Sequence, residues 1–394
     1  MNSSFVRLFV VVLGLGLLGR LTLSARTEIP NGAQPQLAVA ADGRVWLVYG
    51  QAAAASGQRS HQGDHHAGSG HGPGAGHATG HDRANTEADG AIFVACSDDR
   101  GATFGPAIKV AALPNLVLGM RRGPRIAVHG PSLTVTIVSE ELTAFHSSDA
   151  GRTWSGPVTI NDVPTSANEG LHDLAAAPDG RLFATWLDQR NGQMELWGAE
   201  SSDGGATWSK NEQIYRSPGK SICECCHPNA LFDAEGNLAV MWRNFVDGSR
   251  DLWMATRAPG AKTFSPAKKL GEGTWKLDAC PMDGGKIVTF GDGKFGAVWQ
   301  REGEVFLVQP DAPEIPLGKG KQPVAVARGG ESLIVWQQDS NLVLVRKLGE
   351  PPVLQASNGR FASMVPLADR KGAVLAYERV PTSEKSPAVV VDQL

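Results

Sequence analysis

Charge is scarce in this chain. Lys, Arg, Asp and Glu make up 20% of the 394 residues, and the formal net charge is −3. A nucleic-acid binder needs a basic stripe, and an acidic disordered tail needs a run of one sign. Neither is present, so no nucleic-acid partner is expected. Five cysteines in a chain of this length exclude a disulfide-dense small scaffold. Tyrosine is thin, at 3 residues against 10 Trp and 13 Phe, which limits any chemistry that needs a phenol. Beyond the first 25 residues no apolar run is long enough for a membrane-spanning helix. No nucleotide cofactor is expected. Glycine is abundant, at 47, with 24 Pro. Such a chain makes many tight turns, which favours an all-β fold. The 10 Trp argue for a packed core over disorder.

Residues 1–25 read as a secretory signal peptide. Arg7 supplies the positive n-region, Leu8 to Gly19 form a 12-residue apolar stretch, and Leu23-Ser24-Ala25 offers a small residue at the cut. The late Arg20 leaves an uncleaved anchor as the alternative. No cysteine follows the apolar run, so a lipoprotein signal is absent. The expected location of the mature chain, 26–394, is secreted or periplasmic, where thiols can oxidise.

Internal repeats decide the fold. Ser97-x-Asp99-x-Gly101-x-Thr103-Phe104 recurs as Ser147-x-Asp149-x-Gly151-x-Thr153-Trp154 and as Ser201-x-Asp203-x-Gly205-x-Thr207-Trp208. A worn copy, Gly260-Ala261-Lys262-Thr263-Phe264, has lost the Asp. The three Asp stand 50 and 54 residues apart, one small structural unit each. As a turn between strands the octapeptide makes physical sense. The carboxylate accepts backbone N–H bonds, Gly takes positive φ, and the aromatic ring tucks under a neighbouring strand.

This octapeptide resembles the Asp-box, or BNR, repeat of the sialidase-like β-propellers. A second pattern extends the reading through the mature chain. Apolar strands ending in an aromatic recur as Val45–Tyr49, Leu182–Trp186, Leu238–Trp242, Phe295–Trp299, Ser332–Trp336 and Ala373–Tyr377, with Leu133–Val138 filling the place between the first two. Each unit reads as strand, turn, strand, loop, strand, Asp-box turn, strand. The expectation is a single all-β propeller of seven four-stranded antiparallel blades. Residues Arg26–Pro30 supply the strand missing from the last unit. The sialidases themselves have six blades, which stands as the alternative.

Antiparallel topology puts the start of strand 1, the end of strand 2 and the strand 2–3 loop on one face, and the Asp-box turns on the other. On the first face the third unit has His172-Asp173, the fourth Cys223-Glu224-Cys225-Cys226-His227-Pro228, and the fifth Cys280-Pro281-Met282-Asp283. Thiol, imidazole and thioether together are soft ligands, suited to copper or zinc. Cys223, Cys225, Cys226, His227, Cys280, Met282 and His172 are therefore the candidate metal ligands. The alternative is a disulfide from Cys280 to the Cys223–Cys226 segment, tying two units together. Cys96 reads as a small buried hydrophobe. An insert from residue 51 to 90 holds His61, His65, His66, His71, His77 and His81 amid Gly, Ala and Ser. It cannot bury a core, is expected to be mobile, and offers auxiliary metal-chelating imidazoles on the same face.

The family resemblance also implies exo-α-sialidase activity, a glycoside hydrolysis with a Tyr nucleophile, an arginine triad and an acid. An early Arg-Ile-Pro motif is expected there. Here Arg26-Thr27-Glu28-Ile29-Pro30 has Glu28 in the arginine's place. Tyr49 and Tyr377 hold the repeat's structural aromatic position, and Tyr215 follows an Asp-box. Asp188 and Glu140 are the candidate acids, and Arg122, Arg125, Arg243, Arg301 and Arg379 the candidate carboxylate binders. Three functions follow as expectations. The first is a propeller binding a soft metal ion or another small ligand at the Cys/His cluster. The second is a sialidase-type hydrolase, or a redox enzyme at the metal. The third is a non-catalytic propeller binding glycan or protein, with structural disulfides.

Overall fold

The computed structural model describes residues 26–53, 88–290, 293–309, 312–328 and 331–394. The expected signal peptide and all six histidines from His61 to His81 lie outside the described residues. The flanking strands run further than the sequence implied: Val45–Ala52 enters the expected insert, and Ala88–Ser97 begins inside it. Among the described residues no helix is long and apolar enough to cross a membrane.

Seven sheets of four antiparallel strands form a β-propeller. Their innermost strands are Ala33–Val39, Arg125–His129, His172–Ala176, Asn229–Phe232, Lys286–Thr289, Lys321–Arg328 and Gly359–Pro366, which define blades 1 to 7. Each inner strand touches the next, and the last touches the first, so the ring is closed. Closure is covalently staggered. Arg26–Pro30 pairs with Ala388–Gln393 as the outer strand of blade 7, Arg26 opposite Asp392 and Pro30 opposite Ala388. Residues 26–30 thus share a sheet with the last three strands, and the six-bladed alternative does not apply.

The second strand of each blade explains the recurring apolar pentads. Leu182–Asp188 and Leu238–Arg243 are buried along their whole length because both of their faces lie against neighbouring blades. Trp186, Trp242 and Trp336 are among the largest fully buried side chains and fill the gaps between blades.

The three Asp-boxes have one geometry. In the second, Asp149 Oδ1 accepts Thr153 N at 2.9 Å, and Ser147 Oγ accepts Gly151 N at 2.9 Å. The Thr hydroxyl and backbone bonds hold Asp99 and Asp149 down to a pKa of about 2. Gly101 and Gly205 have φ of +85° and +87°, and a Cβ on either would lie 2.6 Å from the preceding blade, at Val374 and Thr134. Only glycine permits both the turn and that close approach.

Near the axis, side chains strap four of the blades to their successors. Asp173 accepts Ala230 N at 3.0 Å, Asn229 Oδ1 accepts Ile287 N at 2.7 Å, Asp283 accepts Gln322 N at 2.6 Å, and Glu378 accepts Gln34 N at 2.7 Å. These bonds satisfy inner-strand donors that the twist of the ring leaves without a sheet partner.

Candidate metal centre

The connection from blade 3 to blade 4 carries the cysteines. It is fixed at both sides: Ile222 N donates to Met194 O at 2.9 Å and Cys223 N to Arg243 O at 3.0 Å. The backbone then turns back on itself, so the C-x-C-C segment points three thiols inward. Cys223 Sγ lies 3.7 Å from Cys225 Sγ and 3.5 Å from Cys226 Sγ, and all three sulfurs fall within 4.8 Å of one another. All three side chains are buried and form their own small cluster, with Met282 packed against it.

Blade 5 approaches from the other side. Cys280 is exposed, and it lies near enough to Cys225 to help push that thiol up. Asp283 N donates to Cys226 Sγ at 3.4 Å. A Cβ on Gly284 would lie 1.8 Å from His227 O, so the two blades meet here backbone to backbone. Met282 takes a φ of 55°, unusual for a residue with a side chain. No disulfide joins any of the five cysteines. The separations of 3.5 and 3.7 Å are well beyond a covalent S–S bond of about 2.05 Å.

Two arginines surround the sulfurs. Arg250 Nη1 donates to Cys223 Sγ at 3.1 Å, its Nε donates to Leu277 O at 3.1 Å, and its plane lies 4.5 Å from the Phe245 ring centroid. Arg243 is 1% exposed and spends its donors on the carbonyls of Asp283, Arg250 and Gln300. Among the described residues neither pairs with a carboxylate. A buried guanidinium without a counter-ion is costly, and the thiol cluster that Arg250 donates to is a group that can carry negative charge. Hydrogen bonding with Cys225 and Cys226, aided by the charges of Arg250 and Arg243, pushes the Cys223 thiol well below its ordinary pKa. The Cys225 thiol is pushed up by its bonds to the neighbouring sulfurs, and Cys226 is pushed up chiefly by burial.

The imidazoles are not in the sulfur group. His172 is 0% exposed, with Nε2 at 3.1 Å from Thr136 Oγ1 and Nδ1 at 3.5 Å from Gly170 O. It is a satisfied core histidine on the inner strand of blade 3, one blade short of the thiols, and its place among the ligands is corrected accordingly. His227 follows the cysteines but turns toward the axis, where its buried Nδ1 has no hydrogen-bond partner. Burial and the charges of Arg121, Arg125 and Lys286 hold it well below its ordinary pKa.

Burial, then the charge of Arg125, brings the His172 pKa down to about 3. The unfolded chain therefore binds a proton that the native chain refuses between about pH 3 and the ordinary histidine value of about 6.5. Stability falls as pH drops through that window. At pH 4.5 the loss relative to pH 7 is expected to be about 2–3 kcal/mol from this group. Urea midpoints at the two pH values, for the native chain and His172→Gln, check it. The variant should lose that much less.

Asp188, Arg301 and Arg379 sit at the ends of second strands, one strand removed from the centre. Asp188 is 0% exposed and accepts from Ser166, Trp186 and Arg190, which leaves it no role as an accessible acid. Arg301 grips Glu314 through both nitrogens, at 2.8 and 2.5 Å. Arg379 pairs with Glu28 at 2.6 Å across blade 7. Exposed Glu140 contacts Asn115 at 3.4 Å. Arg122 pairs with Glu169 at 2.5 Å, and Arg125 with Asp173 at 3.4 Å. Tyr49 is buried between blades 1 and 7, Tyr377 bonds Asp392 at 3.3 Å, and Tyr215 Oη accepts from Asn244 at 2.8 Å in an outer strand. Half-buried Cys96 is raised to a pKa of about 11, chiefly by burial. Arg250 had no signal in the sequence: nothing near it marks it as a thiolate partner until the loop 244–250 is folded.

A closed seven-bladed ring with Asp-box turns defines a sialidase-like β-propeller. The BNR repeat-like domain family matches residues 125–349, more than half of the chain, and the protein belongs to it. No curated protein sequence matches the chain. Among solved structures, it resembles a protein of unknown function from Dyadobacter fermentans at 11% identity and a TM-score of 0.50, over 94% of this chain and 100% of that one. It also resembles the α-L-arabinanase of Penicillium chrysogenum complexed with arabinobiose, at 12% identity and a TM-score of 0.49, over 92% and 96% of the two chains. A Hadza microbial sialidase aligns at 11% identity and a TM-score of 0.46, over 79% and 74%. At these identities the likeness concerns the fold alone.

Proposed function

We propose that this protein binds one soft transition-metal ion, copper or zinc, at the cysteine cluster between blades 4 and 5. The observation that carries the reading is three buried thiols within 4.8 Å of one another, with Arg250 donating to one of them at 3.1 Å. A structural core has no use for three converging thiols, whereas soft ions select thiolate sets of this kind. Binding strips the remaining S–H protons, and the two arginines stabilise the anionic complex. Read as a secretory signal peptide, residues 1–25 would carry this activity out of the cytoplasm, and the imidazoles of residues 61–81 would gather ions for the site. The glycosidase reading lacks an accessible tyrosine nucleophile, since all three tyrosines are engaged within blades.

The test is metal analysis of chain isolated from its own compartment, without a tag or chelator, followed by titration with each ion. One copper or zinc per chain is expected. A chain isolated bare that takes up neither ion, or one that releases sialic acid from a fluorogenic sialoside at enzymatic rates, overturns the proposal.

A further inference from the structure

The cluster discriminates between the two ions. Zinc sites accept cysteine, histidine and carboxylate, and reach four ligands. Among the described residues no His, Asp or Glu joins the close-set group. The side chain packed on the three thiols is a thioether, Met282, which is a ligand for Cu(I) and a poor one for zinc. The fourth sulfur, Cys280, differs from the other three: they are buried, and it is exposed.

Spacing and charge agree. Three sulfurs bound about 2.3 Å from one ion stand about 3.8–4.0 Å apart, and the present separations are 3.5 and 3.7 Å. Those two pairs need to spread by only a few tenths of an ångström. Three thiolates around a monovalent ion leave two negative charges. Arg243 and Arg250, neither paired with a carboxylate among the described residues, supply two positive ones. A divalent ion on the same three thiolates leaves the site with an excess of positive charge in a buried setting.

We propose, building on the metal-binding reading above, that the resident ion is Cu(I), held by the thiolates of Cys223, Cys225 and Cys226. Cys280 is the exposed thiol through which the ion enters and leaves by ligand exchange with Cys225. The protons of the bound thiols pass to solvent as the ion enters, and no electron is transferred.

The experiment is anaerobic titration of the full chain, under thiol-reducing conditions, with Cu(I) against a colorimetric Cu(I) chelator, and separately with Zn(II). One Cu(I) per chain is expected, and one equivalent of Cu(I) should displace pre-bound zinc. Cys280→Ser should keep that stoichiometry while slowing loss of Cu(I) to the chelator at least tenfold. Met282→Leu should weaken Cu(I) and leave zinc affinity within twofold. The inference is overturned if zinc binds and Cu(I) fails to displace it, or if Cys280→Ser abolishes Cu(I) binding, which would make Cys280 a holding ligand. In both cases the metal-binding reading survives. If the native chain binds neither ion, both fall together.

Discussion

Replacing Cys226 by serine is expected to lower metal affinity at least a hundredfold while the propeller stays folded. Cys226 is 1% exposed, and its sulfur is held 3.5 Å from Cys223 Sγ by the Asp283 N–H bond. Serine keeps an acceptor for that N–H, so the contact between blades 4 and 5 persists. Its oxygen is smaller and harder than sulfur, and it stays protonated at neutral pH, so one ligand is lost outright. A hundredfold is about 2.7 kcal/mol, modest for one metal–thiolate bond. Competition titration of the ion gives the affinity, and tryptophan fluorescence reports whether the blades remain packed. An unchanged affinity would remove Cys226 from the site.

Asp173→Ala is expected to destabilise the fold by about 3–5 kcal/mol, the usual cost of leaving a buried charge without its partner. Asp173 does three things at the axis. It pairs with Arg125 at 3.4 Å, accepts Ala230 N at 3.0 Å, and accepts from the Asn229 side chain. Arg125 is only 4% exposed. Its pKa is already lowered by burial, and Asp173 is the charge that opposes this. Removing the carboxylate strands a cation and a backbone donor, and it loosens the seam between blades 3 and 4. Urea denaturation at pH 7 measures the loss. The Arg125→Met, Asp173→Ala double variant should be more stable than Asp173→Ala alone, because the stranded charge is gone. A double variant that is less stable would show that the ion pair is not the cause.

The cysteine segment shows where sequence reasoning stops. The repeat predicts that residues near 225 and 280 occupy equivalent places in adjacent blades, and that much follows from register. Whether the sulfurs converge depends on the path of the 216–228 connection and on the φ of 55° at Met282, neither of which the repeat specifies. His172 looked equivalent to the thiols by the same register. Its ring instead packs within 3.1 Å of Thr136 on the preceding blade, because inner-strand side chains alternate and a one-residue difference changes what they face. Asp188 and Arg301 show a related effect: the ends of second strands meet partners within reach, Arg190 and Glu314, before they reach the axis.

The ring was legible before folding: the four-stranded unit, the Asp-box turns and the return of Arg26–Pro30 to complete the last sheet, with the count of seven blades over six settled only by the closed ring. Those features repeat, and repetition makes a local pattern legible without knowing long-range contacts. Only the tertiary structure decided that three thiols share a space 4.8 Å across, that Arg243 and Arg250 flank them, and that both histidines stand apart. Each of these depends on a connection that occurs once in the chain. A unique loop finds its conformation through close packing against distant residues, and no local period records that.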